Sequence, residues 1–196
     1  MDWKKNSWML SFVGLIVLAS AVANIDRILG LSFAGSRSLN FTNNPNGIVV
    51  EEFSDFACPF CNQARAEVYS VLERYNGKVN FMFRHLIVHA ETELAAQASE
   101  CARDQQKFFE FADLVYDNQG FALQDLNRYA ETAGLNMTLF AECVESGRKA
   151  EVLQRDYDDA FRRNVMGTPA FFVDGEQVPV EYLGLAIEEA YVRSQP

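Results

Sequence analysis

The chain is poor in positive charge and in histidine. Its 17 Lys and Arg stand against 27 Asp and Glu, giving a formal net charge of -10. That balance excludes nucleic acid as a partner, because neutralising phosphates demands a basic face. His85 and His89 are the only histidines, and Cys58, Cys61, Cys101 and Cys143 the only cysteines. A tetrahedral zinc site normally takes two close pairs of ligands. A Cys2His2 site would need the Cys58/Cys61 and His85/His89 pairs to converge at one point, so no metal is expected. No internal repeat is visible, and 196 residues fit one domain with some length left over. The hydrophobic content of 49% and aromatic content of 13% are enough to build a core.

The N-terminus is distinctive. In "MDWKKNSWML SFVGLIVLAS AVAN", Lys4 and Lys5 precede an uncharged apolar run from Trp8 to Ala23. Its length falls between a signal h-region and a full membrane span. Ala21-Val22-Ala23 has the small-x-small form of a cleavage site, while Trp3 and Trp8 suit the headgroup boundary. Residues 1–23 are expected to be a signal anchor or a signal peptide, with the uncleaved anchor slightly favoured over a removed signal; a buried core helix is the alternative to export. The rest of the chain is then expected outside the cytoplasm, where disulfides persist. Residues 24–46, polar and rich in Ser, Asn and Gly, read as a tether.

From residue 47 the pattern becomes regular. "GIVVEEFSDF" reads as a strand covered on both faces, with Ile48, Val49 and Val50 in one apolar run. A helix follows, with Pro59 in its first turn and an apolar stripe of Ala64, Val68, Val71, Leu72 and Tyr75. "KVNFMFRHLIV" reads as a second strand, so that 47–88 forms a right-handed parallel βαβ unit. Residues 89–164 are helical throughout, with Asn136 as a helix cap. In 165–196, "PAFFVDGEQV" carries the hairpin signal Asp174-Gly175, and an amphipathic helix closes the chain. The order is βαβ, four or five helices, then ββα: an α/β domain with a helical insertion.

The chemistry concentrates at "FSDFACPFCNQ". Cys58 falls where a strand hands over to a helix, so first-turn N–H groups and the helix dipole favour its thiolate over its thiol. Cys61 lies one turn along, within reach of a disulfide and on a more buried side. One sulfur that attacks and one that resolves is the asymmetry thiol–disulfide exchange needs. The alternative is a helix cap with an incidental or passive second cysteine. Cys101 and Cys143 each lie on an apolar helix face, Cys101 with Leu94 and Ala98, Cys143 with Leu139 and Phe140. They read either as buried free thiols or, in an oxidising compartment, as a disulfide.

"EEFSDFACPFC", followed more than 100 residues later by "GTPAFFVDG", resembles the DsbA-like branch of the thioredoxin superfamily over roughly residues 46 to 194. The resemblance implies a thioredoxin fold with an inserted helical domain and a cis-proline loop at Thr168-Pro169 beside the cysteine pair. It implies a protein thiol–disulfide oxidoreductase, with Cys58 as nucleophile, Cys61 resolving and Thr168 and Pro169 guiding substrate peptide. It also implies an acidic residue beneath the buried cysteine, a place that Glu52 fits and for which Asp55 competes. Some members carry a second disulfide in the helical domain, which favours pairing of Cys101 with Cys143. No metal or organic cofactor is then expected, the disulfide being the redox group. The expected partners are exported polypeptides with cysteines and a membrane redox protein, either an oxidase of the DsbB or VKOR kind or a thiol reductase. With no dimerisation module visible, a monomer is expected. An oxidase is the leading expectation; a reductase or isomerase of the same fold, and a peptide-binding holdase, are the alternatives. The better-known oxidase motif carries histidine where this chain has Phe60, which offers the thiolate neither charge nor hydrogen bond. A milder oxidant follows, with Phe60 exposed and available to substrate.

Overall fold

A computed structural model of the chain describes residues 44–195. The sequence expectations for residues 1–23, and for the tether as far as 43, lie outside these described residues. No helix among them is long and apolar enough to cross a membrane. Asn44, at the end of the expected tether, is pinned to the domain: its amide side chain donates to the Gly77 carbonyl at 3.1 Å, and Asn80 Nδ2 donates to its own carbonyl at 2.7 Å.

Strand β1 (Ile48–Ser54) is central. It pairs in parallel with β2 (Val79–His85) and antiparallel with β3 (Ala170–Val173), and β3 pairs antiparallel with β4 (Glu176–Val178), giving the order β2-β1-β3-β4. Helix α1 (Pro59–Arg74) makes the crossover from β1 to β2, and its expected stripe is buried in full. Between β2 and β3 run α2 (Glu93–Asp104), α3 (Phe108–Asn118), α4 (Leu123–Thr132), α5 (Met137–Ser146) and α6 (Ala150–Arg162). Helix α7 (Leu183–Arg193) closes the domain. The β3–β4 turn is made by Asp174 at φ 48° and Gly175 at φ 87°, left-handed geometry that the Asp-Gly pair tolerates. Asn136 caps α5 by accepting from the Leu139 N–H at 3.2 Å.

A central strand buries both faces, and β1 carries two consecutive glutamates, Glu51 and Glu52, each 4% exposed. Side chains alternate along a strand, so the two face opposite ways. Glu51 shares its face with Phe53, over which α6 packs. There it is ion-paired to Arg84 at 3.0 Å and Arg163 at 2.7 Å, and these arginines also hold Asp156 and Asp159 of α6. Glu52 shares its face with Val50 and Ser54 and points into the main core, towards the cysteine pair.

Cys101 of α2 and Cys143 of α5 form a disulfide, S–S 1.99 Å with Cα atoms 5.8 Å apart. Phe140 is fully buried beside it. Leu139 does not share that face, as the apolar pattern suggested; it is 53% exposed in the first turn of α5. One residue along a helix is a rotation of about 100°, enough to carry a side chain from core to solvent.

Candidate active site

The Cys58–Cys61 pair sits where β1 hands over to α1. Cys58 is the residue before the first helical turn, with extended φ and ψ of -74° and 118°, and Pro59 occupies the first turn. Pro59 has no N–H to satisfy there, and its ring pre-sets helical φ. Both cysteines are thiols in this structure, and both are buried, Cys58 at 5% and Cys61 at 1% exposure. Thr168-Pro169 is a cis peptide bond. The Cys58 thiol donates to the Thr168 carbonyl at 3.3 Å, which joins two segments 110 residues apart in sequence. Phe60 projects outward, 65% exposed.

Beneath the pair, burial pushes the Cys61 thiol up to about 12, although hydrogen bonding from the Ser54 hydroxyl, the Asp55 backbone and Thr168 pulls the other way. Burial also raises the Glu52 carboxyl to about 7, against the opposing pull of Ser54. A small cavity of about 20 Å³ has both Glu52 and Cys61 in its wall, with Phe81, Phe83 and Tyr116 among its apolar lining. That volume is enough for one water molecule. The low-dielectric surroundings disfavour charge on either group, so Cys61 keeps its proton at neutral pH while Glu52 exchanges its own around pH 7.

Two participants were not legible in the sequence. Ser54 donates to Glu52 Oε1 at 2.8 Å, and its oxygen lies 3.0 Å from the Tyr116 hydroxyl. Burial first, then the nearby charge of Glu52 and Cys61, holds the Tyr116 phenol well above its usual range, so it stays a donor. The run is therefore Tyr116 to Ser54 to Glu52. Ser54 had one available signal, the period-2 spacing that puts it on the face of Glu52. Tyr116 had none, lying 62 residues away in the helical region.

Asp55, the rival of Glu52, is equally buried but committed elsewhere. One oxygen accepts from the Ala57 N–H at 2.8 Å; the other accepts from Val88 at 2.6 Å and His89 at 2.8 Å. Its carboxylate fastens the loop after β2 to the cysteine turn. His89 precedes a 3-10 turn over Ala90–Thr92, with its Nδ1 3.4 Å from Asp55. His85 is buried, its Nε2 3.1 Å from Glu100 Oε1. No cluster that could hold a metal occurs among the described residues.

A four-stranded sheet of this order, a helix-capped cysteine pair and a cis-proline beside it define a thioredoxin-fold redox protein. The family model described as "Thioredoxin" matches residues 44–188. The chain belongs to that family. It is similar to a thioredoxin-like oxidoreductase from Silicibacter pomeroyi, with 26% identity and a TM-score of 0.67, over 81% of this chain and 99% of that one. BdbD from Bacillus subtilis shares the fold at 21% identity and a TM-score of 0.64, over 78% of this chain and 89% of that one. A curated relative, Na(+)/H(+) antiporter NhaA 3 of Salinispora tropica, is 35% identical over 156 residues, 76% of this chain but only 24% of that protein. The chain thus spans about a quarter of the curated relatives it matches.

Proposed function

We propose that this protein accepts electrons from cysteines of exported polypeptides by exchanging its Cys58–Cys61 disulfide with them, acting as an oxidase outside the cytoplasm. The observation that carries the reading is the pairing of a helix-N-terminal Cys58, 3.3 Å from the Thr168 carbonyl, with a Cys61 set beside a buried Glu52. Antiport, named for the curated relatives, is not transferred, because the match covers so little of them.

A substrate thiolate attacks Cys58 Sγ of the disulfide, forming a mixed disulfide and releasing Cys61 as a thiolate. A thiolate is costly in that site, so Cys61 takes a proton, and Glu52 is placed to supply it through Ser54 or one water. A second substrate thiolate then attacks its partner sulfur in the mixed disulfide. The substrate leaves oxidised, Cys58 leaves as a thiolate, and the protein has gained two electrons. A membrane redox partner takes them back. The disulfide between Cys101 and Cys143 supports a location where such bonds persist. The apolar run from Trp8 to Ala23 supports anchoring there; a size difference between precursor and mature protein would sink the anchor. Asp55 is left as a loop fastener, and Glu52 as the group that moves the proton.

A redox titration of Cys58–Cys61 against glutathione tests the direction. A potential above the glutathione couple fits an oxidase, and one well below it identifies a reductase. Cys58→Ser abolishes both insulin reduction and peptide oxidation if exchange is the activity, whereas a peptide-binding holdase keeps its function.

A further inference from the structure

A groove of about 810 Å³ opens beside the cysteine pair, and its walls are acidic. One wall is a single face of α1, with Phe60, Gln63 and Glu67 at helical spacing. The other carries Pro169, Gln177 and Glu181, from the cis-proline and the edge strand β4 with its following turn. Among the described residues no lining residue is basic, and both glutamates are exposed. Glu67 Oε1 lies 3.2 Å from where a Cβ on Gly184 would stand, so its carboxylate lies against the first turn of α7 in space a glycine leaves open. Among the described residues strand β4 ends the sheet, so an extended peptide here meets its edge backbone.

We infer that the groove selects substrates with a positive charge about four residues from the reacting cysteine, with Glu67 and Glu181 as the specificity-determining residues. The inference rests on the redox reading above and names the substrate class for the same site. The spacing follows from geometry. Glu67 is nine residues along the chain from Cys58, about 13 Å of helix axis at 1.5 Å per residue. An extended peptide covers that distance in about four residues. Two carboxylates on facing walls repel each other and gain from a cation between them, whereas an acidic side chain there meets like charge. The groove is thus a filter on the flank of the target cysteine, separate from the chemistry at the sulfurs.

Single-turnover oxidation of dithiol peptides by the stoichiometrically oxidised full chain tests it. The peptides differ only in one residue, Lys or Glu, placed two, four or seven positions from the reacting cysteine. At low ionic strength the Lys peptide is expected to react about tenfold faster than its Glu isomer at position four, with a smaller ratio at two and seven. In the double variant Glu67→Gln and Glu181→Gln the ratio falls to about twofold or less, while Glu142→Gln with Glu145→Gln, exposed on α5, retains it. Equal rates for the two peptides overturn the inference, as does a ratio that survives the groove variant. A ratio that falls equally in the α5 variant also overturns it, since the effect then belongs to the overall charge. No reaction with any peptide overturns the redox reading itself, and this inference with it.

Discussion

At the scale of the residue, two neighbouring glutamates show how a side chain's direction decides its chemistry. Glu51 turns to a face with two arginines and serves as an anchor. Glu52, one position on, turns to a face with Ser54, Tyr116 and Cys61, and its carboxyl is raised to about 7 by burial. Glu52→Gln keeps the shape and removes the exchangeable proton. It is expected to slow the step that releases Cys61 by about tenfold, less than the roughly hundredfold to ten-thousandfold typical of a positioned acid, because Ser54 and water remain to relay a proton. The pH dependence centred near 7 is expected to flatten in a stopped-flow pH series. Phe60 is the second residue with a separable effect. It is exposed and offers no charge, so Phe60→His adds one stabilising interaction to the thiolate. An interaction of a few tenths to 2 kcal/mol makes the couple more oxidising by about 10 to 40 mV. Glutathione titration of the two proteins measures the difference; no change would sink the role given to position 60.

At the scale of elements, two fastenings hold the helices to each other and to the sheet. The Cys101–Cys143 bond joins α2 to α5 across 42 residues. Closing a loop of that length contributes about 4 kcal/mol in the chain-entropy view. Replacing both cysteines by alanine is expected to lower stability by up to that amount in urea denaturation and to leave the potential of Cys58–Cys61 unchanged. The second fastening is the carboxylate–guanidinium network around Glu51, which ties α6 to β1 and β2. Removing one partner of a buried pair typically costs 3–5 kcal/mol. Here the arginines are about a quarter exposed and keep Asp156 and Asp159, so Glu51→Gln is expected to cost about 2 kcal/mol, read from the shift in the denaturation midpoint.

At the scale of the whole molecule, two buried carboxyls impose opposite slopes on stability against pH. Burial alone would raise Glu100, but His85 and Arg103 outweigh it and bring it down to about 2. A folded value below the ordinary value of 4.5 stabilises above that pH, and this stability is lost as pH falls towards 2. Glu52 runs the other way. Its folded value near 7 means the native state binds more protons than the unfolded chain between 4.5 and 7, so stability falls as pH rises through that window. The fall is on the order of 3 kcal/mol. For the reduced protein these two groups together favour a maximum near pH 4.5 to 5. In Glu52→Gln the decline from 4.5 to 7 is expected to vanish, leaving the acid limb intact, in thermal melts across pH.

The linear order of residues by itself determined the strand-to-helix setting of Cys58, the Thr168-Pro169 motif, the α1 stripe and the Asp174-Gly175 turn. Each is written in spacing within a dozen residues or in a motif with one structural use, so local rules suffice to read it. Tertiary structure alone decided which carboxylate lies beside Cys61. Glu52 and Asp55 differ only by the face each occupies and by partners that arrive from afar, Tyr116 for one and the Val88 and His89 backbone for the other. It also decided that Leu139 faces out while Cys143 faces Cys101, and that Glu67 and Glu181, far apart in sequence, line one groove. Such contacts depend on how elements dock, and docking follows from burial summed over the whole core, a quantity no short window of sequence contains.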